Sequence, residues 1–287
     1  MATATLEPQV DRGEPIRGPS AVGGDFRRAL TLTIAIARND FKLRFFGSVL
    51  GYLWQLMRPL MLFGVLLVVF TQIVVVTDTE YFPVALLLGI VLFTFFAEAT
   101  GNAVGCVMVR ENLVRKIHFP RLVIPMAVVM VACFNLALNL VVVVVFALAF
   151  GIDPSWNWLG VIPLLLALIV FASGLAMLLS ALYVRYRDVE PIWDVMLQVT
   201  FYASLILVPY EAIREKSETL ASVLLANPLA AVIQETRHLL IDPSYVNVVR
   251  GIGGWALVLV PGALLVATFA LGLRVFNREA PRIAEEL

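Results

Sequence analysis

The chain has 287 residues, 61% hydrophobic and 15% charged, and its 21 basic and 21 acidic side chains balance at pH 7. A soluble domain is nearer half apolar and a quarter charged. Here the apolar residues come in blocks at a mean hydropathy of +0.92, which excludes an ordinary soluble enzyme, and the charge balance gives no electrostatic case for a nucleic-acid partner.

Residues 1–26 carry Pro8, Pro15 and Pro19 with mixed charge and no apolar stretch after a basic start. They read as a flexible cytosolic tail rather than a cleavable signal. From Asp25, a plausible N-cap, Leu30, Ile34, Ala37, Phe41 and Phe45 recur at helical spacing, with Arg27, Arg28, Arg38, Lys42 and Arg44 on much of the remaining face. That pattern predicts an amphipathic helix in the headgroup plane, either a plain anchor or a lever into the first span.

Six stretches then meet the length of about 20 apolar residues that a bilayer crossing requires. They run at about Pro59–Val76, Pro83–Val109, Leu122–Phe150, Leu159–Tyr183, Ile192–Val208 and Ile252–Leu273. Pro59, Pro83 and Pro125 fall in or near first turns, where a missing N–H costs nothing. Segments 1–58, 110–121, 184–190 and 274–287 hold 8, 4, 2 and 3 basic residues, whereas 77–82 and 151–158 hold none and 209–250 holds 4 against five acids. This bias places both termini in the cytosol. Within 209–250, LASVLLANPLAAVI is broken at Asn227–Pro228, and neither half can span. A re-entrant helix pair between spans 5 and 6 fits its Leu220, Val223, Leu224, Leu229 and Ile233 better than a solvated loop. The expected fold is therefore an all-α polytopic membrane protein.

Several chemistries lack their residues. Lys42, Lys116 and Lys216 follow Phe41, Arg115 and Glu215, so no Gly-Lys phosphate-cradling loop exists. His118 and His238 have no metal-ligand neighbours in sequence, and Cys106 and Cys133 sit in apolar runs as small hydrophobes. No metal or catalytic site is expected. Glu98 lies mid-span beside Gly101, Asn102 and Gly105; it is either a channel-facing carboxylate or a structural hydrogen-bonding group. A membrane glycosyltransferase using Asp188, Glu190 and Asp194 would still need a nucleophile or metal triad.

Four motifs carry a resemblance. FFGSVLGYLWQLMRPL (45–60) offers Ser48, Leu50, Gly51, Leu53, Trp54 and Pro59, with Arg58 where an Asn is commoner. ENLVRKIHFPRLVIP (111–125), LLSALYVRYRDVEPI (178–192) and NPLAAVIQETRHLL (227–240) follow in order. Together they resemble the ABC-2 export permeases, especially the polysaccharide branch that handles O-antigen, teichoic acid and related lipid-linked cell-wall glycans. The likeness covers a transmembrane domain at 27–275, leaving 276–287 as a second cytosolic tail.

The resemblance implies a bacterial inner-membrane permease subunit acting as a homodimer with two separate ATPase chains, which would hold the ATP and magnesium. It implies an ATPase-coupling surface of Arg110, Leu113, Arg115, Lys116, Ile117, Phe119, Pro120 and Arg121, joined by Arg185, Arg187 and Asp188. Leu113 and Ile117 would supply an apolar knob, Arg115 and Lys116 charge complementarity, and Pro120 a helix stop. For a glycan, whose rings pack on aromatics, Phe70, Trp193, Phe201 and Tyr202 are channel candidates with Glu98. Arg44 and Arg58 either meet a pyrophosphate head group through charge-assisted hydrogen bonds or snorkel to lipid phosphates. An ABC-2 exporter of drugs or lipids is the alternative.

Overall fold

The computed structural model describes residues 26–45, 51, 53–73, 81–111 and 120–280. Twelve α-helices and no strand occur among them. The order is α1 (Phe26–Phe45), α2 (Leu53–Val68) running into a π-turn at Val69–Ile73, α3 (Phe82–Val104), α4 (Cys106–Val109) and α5 (Val123–Ala149). A 3-10 turn at Trp156–Gly160 leads into α6 (Val161–Arg185), then α7 (Val189–Ala203). Four short helices, α8 (Tyr210–Lys216), α9 (Glu218–Leu225), α10 (Pro228–Leu240) and α11 (Val248–Ile252), precede α12 (Trp255–Glu279).

Five of these segments are long and apolar enough to cross a membrane: Leu53–Thr71, Phe82–Val104, Val123–Ala149, Trp156–Arg185 and Trp255–Glu279. The predicted fifth crossing, Ile192–Val208, is shorter than expected. Its helix α7 has 15 residues, about 22 Å of rise against the roughly 30 Å of a hydrocarbon core. It stops at Ser204, and Leu205 turns to φ +57, outside helical space. Pro59 is also displaced from expectation. The helix begins at Leu53, so Pro59 sits inside it and is buried.

α3 is the hub. Most of its side chains are buried, and it packs on α2, α5, α6, α7 and α10. By contrast, α2 buries only Pro59 and Phe63, and α7 has no fully buried residue. The most extensive helix pair is α6 with α12. Their backbones meet where Gly174 faces Gly272. A Cβ on Gly174 would lie 2.6 Å from the Phe269 Cα, so only hydrogen fits there.

The predicted stripe of α1 holds at Ala37 and Phe41 but is displaced by one residue in the first half of the helix, to Ala29 and Thr33 in place of Leu30 and Ile34. Ala29, Thr33 and Ala37 are its buried residues, with Phe41 edge-on to Phe134 of α5 at 5.5 Å, while Leu30 is exposed. The physical reason is that lipid solvates large apolar side chains, so close helix packing selects small ones. In 209–250, the break at Asn227–Pro228 is a helix start as expected. Asn227 Oδ1 accepts from the Leu229 N–H at 3.1 Å, and Pro228 takes the first helical position. α10 then lies buried against α6 and α3.

Candidate functional site

Glu98 binds three helices together. One carboxylate oxygen accepts from Gln55 Nε2 of α2 and the other from Asn135 Nδ2 of α5, both at 2.7 Å. A carboxylate is the natural centre for two amide donors, because the ionised form only accepts. Asn135 is itself 2% exposed, so its bond forms where water is scarce. We expect Glu98→Ala, which orphans both amides, to cost about 1–3 kcal/mol, measured as a lower unfolding midpoint. Glu98→Gln should recover part of that, and an unchanged midpoint in Glu98→Ala would remove the carboxylate from this role.

Around Glu98 is a cavity of about 640 Å³. Arg44 ends α1 and Arg58 projects from α2, and both line it. Thr94, Glu98 and Asn102 of α3 form its floor, while Glu190 and Asp194 come from α7. Glu190 and Asp194 are four residues apart, hence on one helix face. Among the described residues neither arginine has a carboxylate within 4 Å and Asp194 has no hydrogen bond, while Glu190 accepts from the Tyr183 hydroxyl at 2.9 Å. A second cavity of about 230 Å³ adjoins it, sharing Arg44, Glu98 and Asn102 and closed by Asp40 and Arg110. Those last two form an ion pair that ties α1 to the end of α4.

At the opposite end of α3 lies a second polar centre. Arg237 of α10 is 3% exposed. Its Nη1 donates to the Leu205 carbonyl at 2.7 Å, its Nη2 to Ile206 at 3.2 Å, and Nε and Nη2 both reach the Ala85 carbonyl at 3.3 Å. The carbonyls that the early end of α7 would leave unpaired are thus satisfied by one planar guanidinium. Tyr245 borders the same spot.

Residues 31–241 match the family described as ABC-2 type transporter. The chain belongs to that family. Relatives of this ABC-2 chain include the O-antigen export system permease protein RfbA of Klebsiella pneumoniae. It is 29% identical over 261 residues, 89% of this chain and 95% of the relative. A protein of the same name from Myxococcus xanthus is 29% identical over 70% of this chain and 77% of its own length. The polysialic acid transport protein KpsM of Escherichia coli is 23% identical over 74% and 82%.

The structure of this ABC-2 protein sorts the sequence-derived site residues. Arg44, Arg58 and Glu98 meet at the main cavity. The four aromatics are elsewhere. Phe70 packs on Phe82, Phe201 lies edge-on to Phe93 at 4.9 Å, and Trp193 donates its Nε1–H to Thr100 Oγ1 at 3.1 Å. Tyr202 is 72% exposed beside Phe201. Arg185 and Arg187 are exposed over the Tyr186 and Tyr183 rings, and Asp188 precedes α7. Arg121 is buried just before α5, after Pro120. Leu113, Arg115, Lys116, Ile117 and Phe119 lie outside the described residues.

Sequence reasoning missed Gln55 and Asn135 as partners of Glu98, the Asp40–Arg110 pair, and Arg237 as a functional residue. Each is a polar side chain in or beside an apolar run, which is the signal that finds such groups.

Proposed function

We propose that this chain is the membrane-embedded permease subunit of an exporter that moves a lipid-linked polysaccharide across the bacterial cytoplasmic membrane. It works as a homodimer with two separate ATPase subunits, which bind the ATP and magnesium. Both termini face the cytosol, so the cavity around Glu98 opens at the inner leaflet and the Arg237 centre lies toward the outer one. α7 and the helices of 209–250 together make the sixth crossing, with the pair around Asn227–Pro228 dipping into the outer leaflet. The 27–275 domain carries transport, flanked by cytosolic tails.

One observation carries the reading. Two arginines without a carboxylate within 4 Å line a cavity of about 640 Å³ at the basic end of the bundle, where a diphosphate head group would arrive and where charge-assisted hydrogen bonds suit phosphate oxygens. The names of the relatives from Klebsiella, Myxococcus and Escherichia, O-antigen export permease and polysialic acid transport protein, support the cargo class. A second copy is supported by α7. Its exposed face carries Glu190, Asp194 and Gln198 at helical spacing, a polar row that lipid would not solvate. Aromatics such as Tyr202 then face the shared path.

The ATPase subunit docks on the segment after Arg110. The Asp40–Arg110 pair connects that segment to α1, so movement of the docked subunit reaches α1 and then α2. The double substitution Leu113→Asp with Ile117→Asp tests this. The expected result is normal membrane insertion and retained ATP hydrolysis with glycan export lost. Full export in the double variant would rule out the docking role.

A further inference from the structure

The main cavity is charged with opposite signs on its two flanks. α2 and α7 both lean on α3. Arg44 and Arg58 line the cavity from the α1 and α2 flank, Glu190 and Asp194 from the α7 flank, and Glu98 from the floor. About 640 Å³ is within the range of small-molecule sites, roughly 300–1,000 Å³. That is room for a diphosphate and the sugar next to it, not for a polymer.

Resting on the permease reading above, we infer that this cavity recognises the junction of diphosphate and first sugar, and that it selects a first sugar without a carboxylate: a neutral or amino sugar on a polyprenyl diphosphate. The arginine flank takes the phosphate oxygens. The other flank presents carboxylates, which when ionised accept hydrogen bonds and donate none. Sugar hydroxyls, an N-acetyl N–H or an ammonium supply the donors these groups need. Asp194 has both oxygens open among the described residues, and Glu190 has one oxygen engaged by Tyr183. Glu98 has one amide on each oxygen and a lone pair remaining on each.

A uronic or sialic acid at the same place brings an acceptor-only anion against three carboxylates. Like charges brought within a few ångströms repel, and this is a repulsive element of the kind that creates specificity by rejecting the wrong partner. The arginines cannot relieve it, because the diphosphate already occupies them.

The test uses the purified full-length chain in nanodiscs and three probes: farnesyl diphosphate, farnesyl-diphospho-N-acetylglucosamine and farnesyl-diphospho-glucuronic acid. Dissociation constants are measured for the wild type, for Glu190→Gln with Asp194→Asn, and for Arg44→Gln with Arg58→Gln. Thermal unfolding checks that each variant is folded. In the wild type the glucuronyl probe should bind about tenfold or more weakly than the N-acetylglucosaminyl probe. In the Glu190→Gln, Asp194→Asn variant the gap should shrink to about twofold. Equal binding of the two sugar probes in the wild type, or a gap that survives in that variant, overturns the inference. The double arginine variant tests the reading beneath it. Weakened binding of all three probes supports the phosphate seat. Unchanged binding of all three means the phosphate reading fails, whatever the sugar result. A wild-type chain that binds none of the probes overturns both.

Discussion

Arg237→Met should be the most damaging single substitution in the chain. The guanidinium satisfies the carbonyls of Leu205 and Ile206 and adds a bond to that of Ala85, which is already paired within α3, and each orphaned buried acceptor costs about 1–3 kcal/mol. Methionine fills the volume but donates nothing, so the loss is about twice that of one such bond and large against the stability of any domain. The measurement is the thermal unfolding midpoint and the monodisperse yield after mild-detergent extraction. Arg237→Lys keeps the charge, but its compact ammonium replaces a planar fork. It should recover only part of the loss. A variant Arg237→Met that unfolds at the wild-type midpoint would mean that these carbonyls find other donors, and that α7 does not depend on α10 for its end.

Substitution at the α6–α12 crossing should rank second. Gly272→Val places a branched side chain into the backbone of α6 at Gly174, where even one Cβ has no space. The helices must separate along the most extensive contact in the bundle, and overpacking of this kind costs about 1–3 kcal/mol or more. The expected readout is a lowered unfolding midpoint together with faster proteolysis near Phe276, which is fully buried against α6 in the native packing. Gly272→Ala should be intermediate. A stable Gly272→Val would show that the pair is held by the ends of α12 rather than by this crossing.

How much of this was legible in the sequence follows from what hydropathy can see. Long apolar runs located α5 and α6 to within two residues and α3 and α12 to within about six, because a bilayer-length run has few alternatives. The early stop of α7 was not legible. Leu205, Ile206, Leu207 and Val208 continue the apolar run without a Gly or Pro, and nothing in their side chains announces a φ of +57 at Leu205. The first half of the α1 stripe, Leu30 and Ile34, went wrong for a related reason. Hydropathy sends large apolar residues toward protein, yet beside a bilayer they serve equally well toward lipid, and Ala29, Thr33 and Ala37 make the contact.

At the candidate site, Arg44, Arg58 and Glu98 stood out as charges in or beside apolar runs, and they share one cavity. The aromatics chosen for the channel are apolar enough to serve the core. Phe201 and Trp193 found ring partners in Phe93 and Phe96. Glu190 and Asp194 were visible as charges, but their approach to residues 44 and 58 is a tertiary event across about 150 positions that no local pattern encodes.

The early end of α7 gives that helix a fulcrum. Just past its far end two carbonyls, those of Leu205 and Ile206, are held by Arg237, while along its length it buries nothing completely. On the coupling role proposed for Arg187 and Asp188, a push there would become a swing about Leu205, rather than a piston stroke through the bilayer. Eleven residues separate Asp194 from Leu205, roughly 16 Å of rise, so a swing of about 10° carries the carboxylate sideways by about 3 Å. That travel is about the length of one hydrogen bond, enough to release the hydroxyl of the proposed sugar contact without unfolding anything.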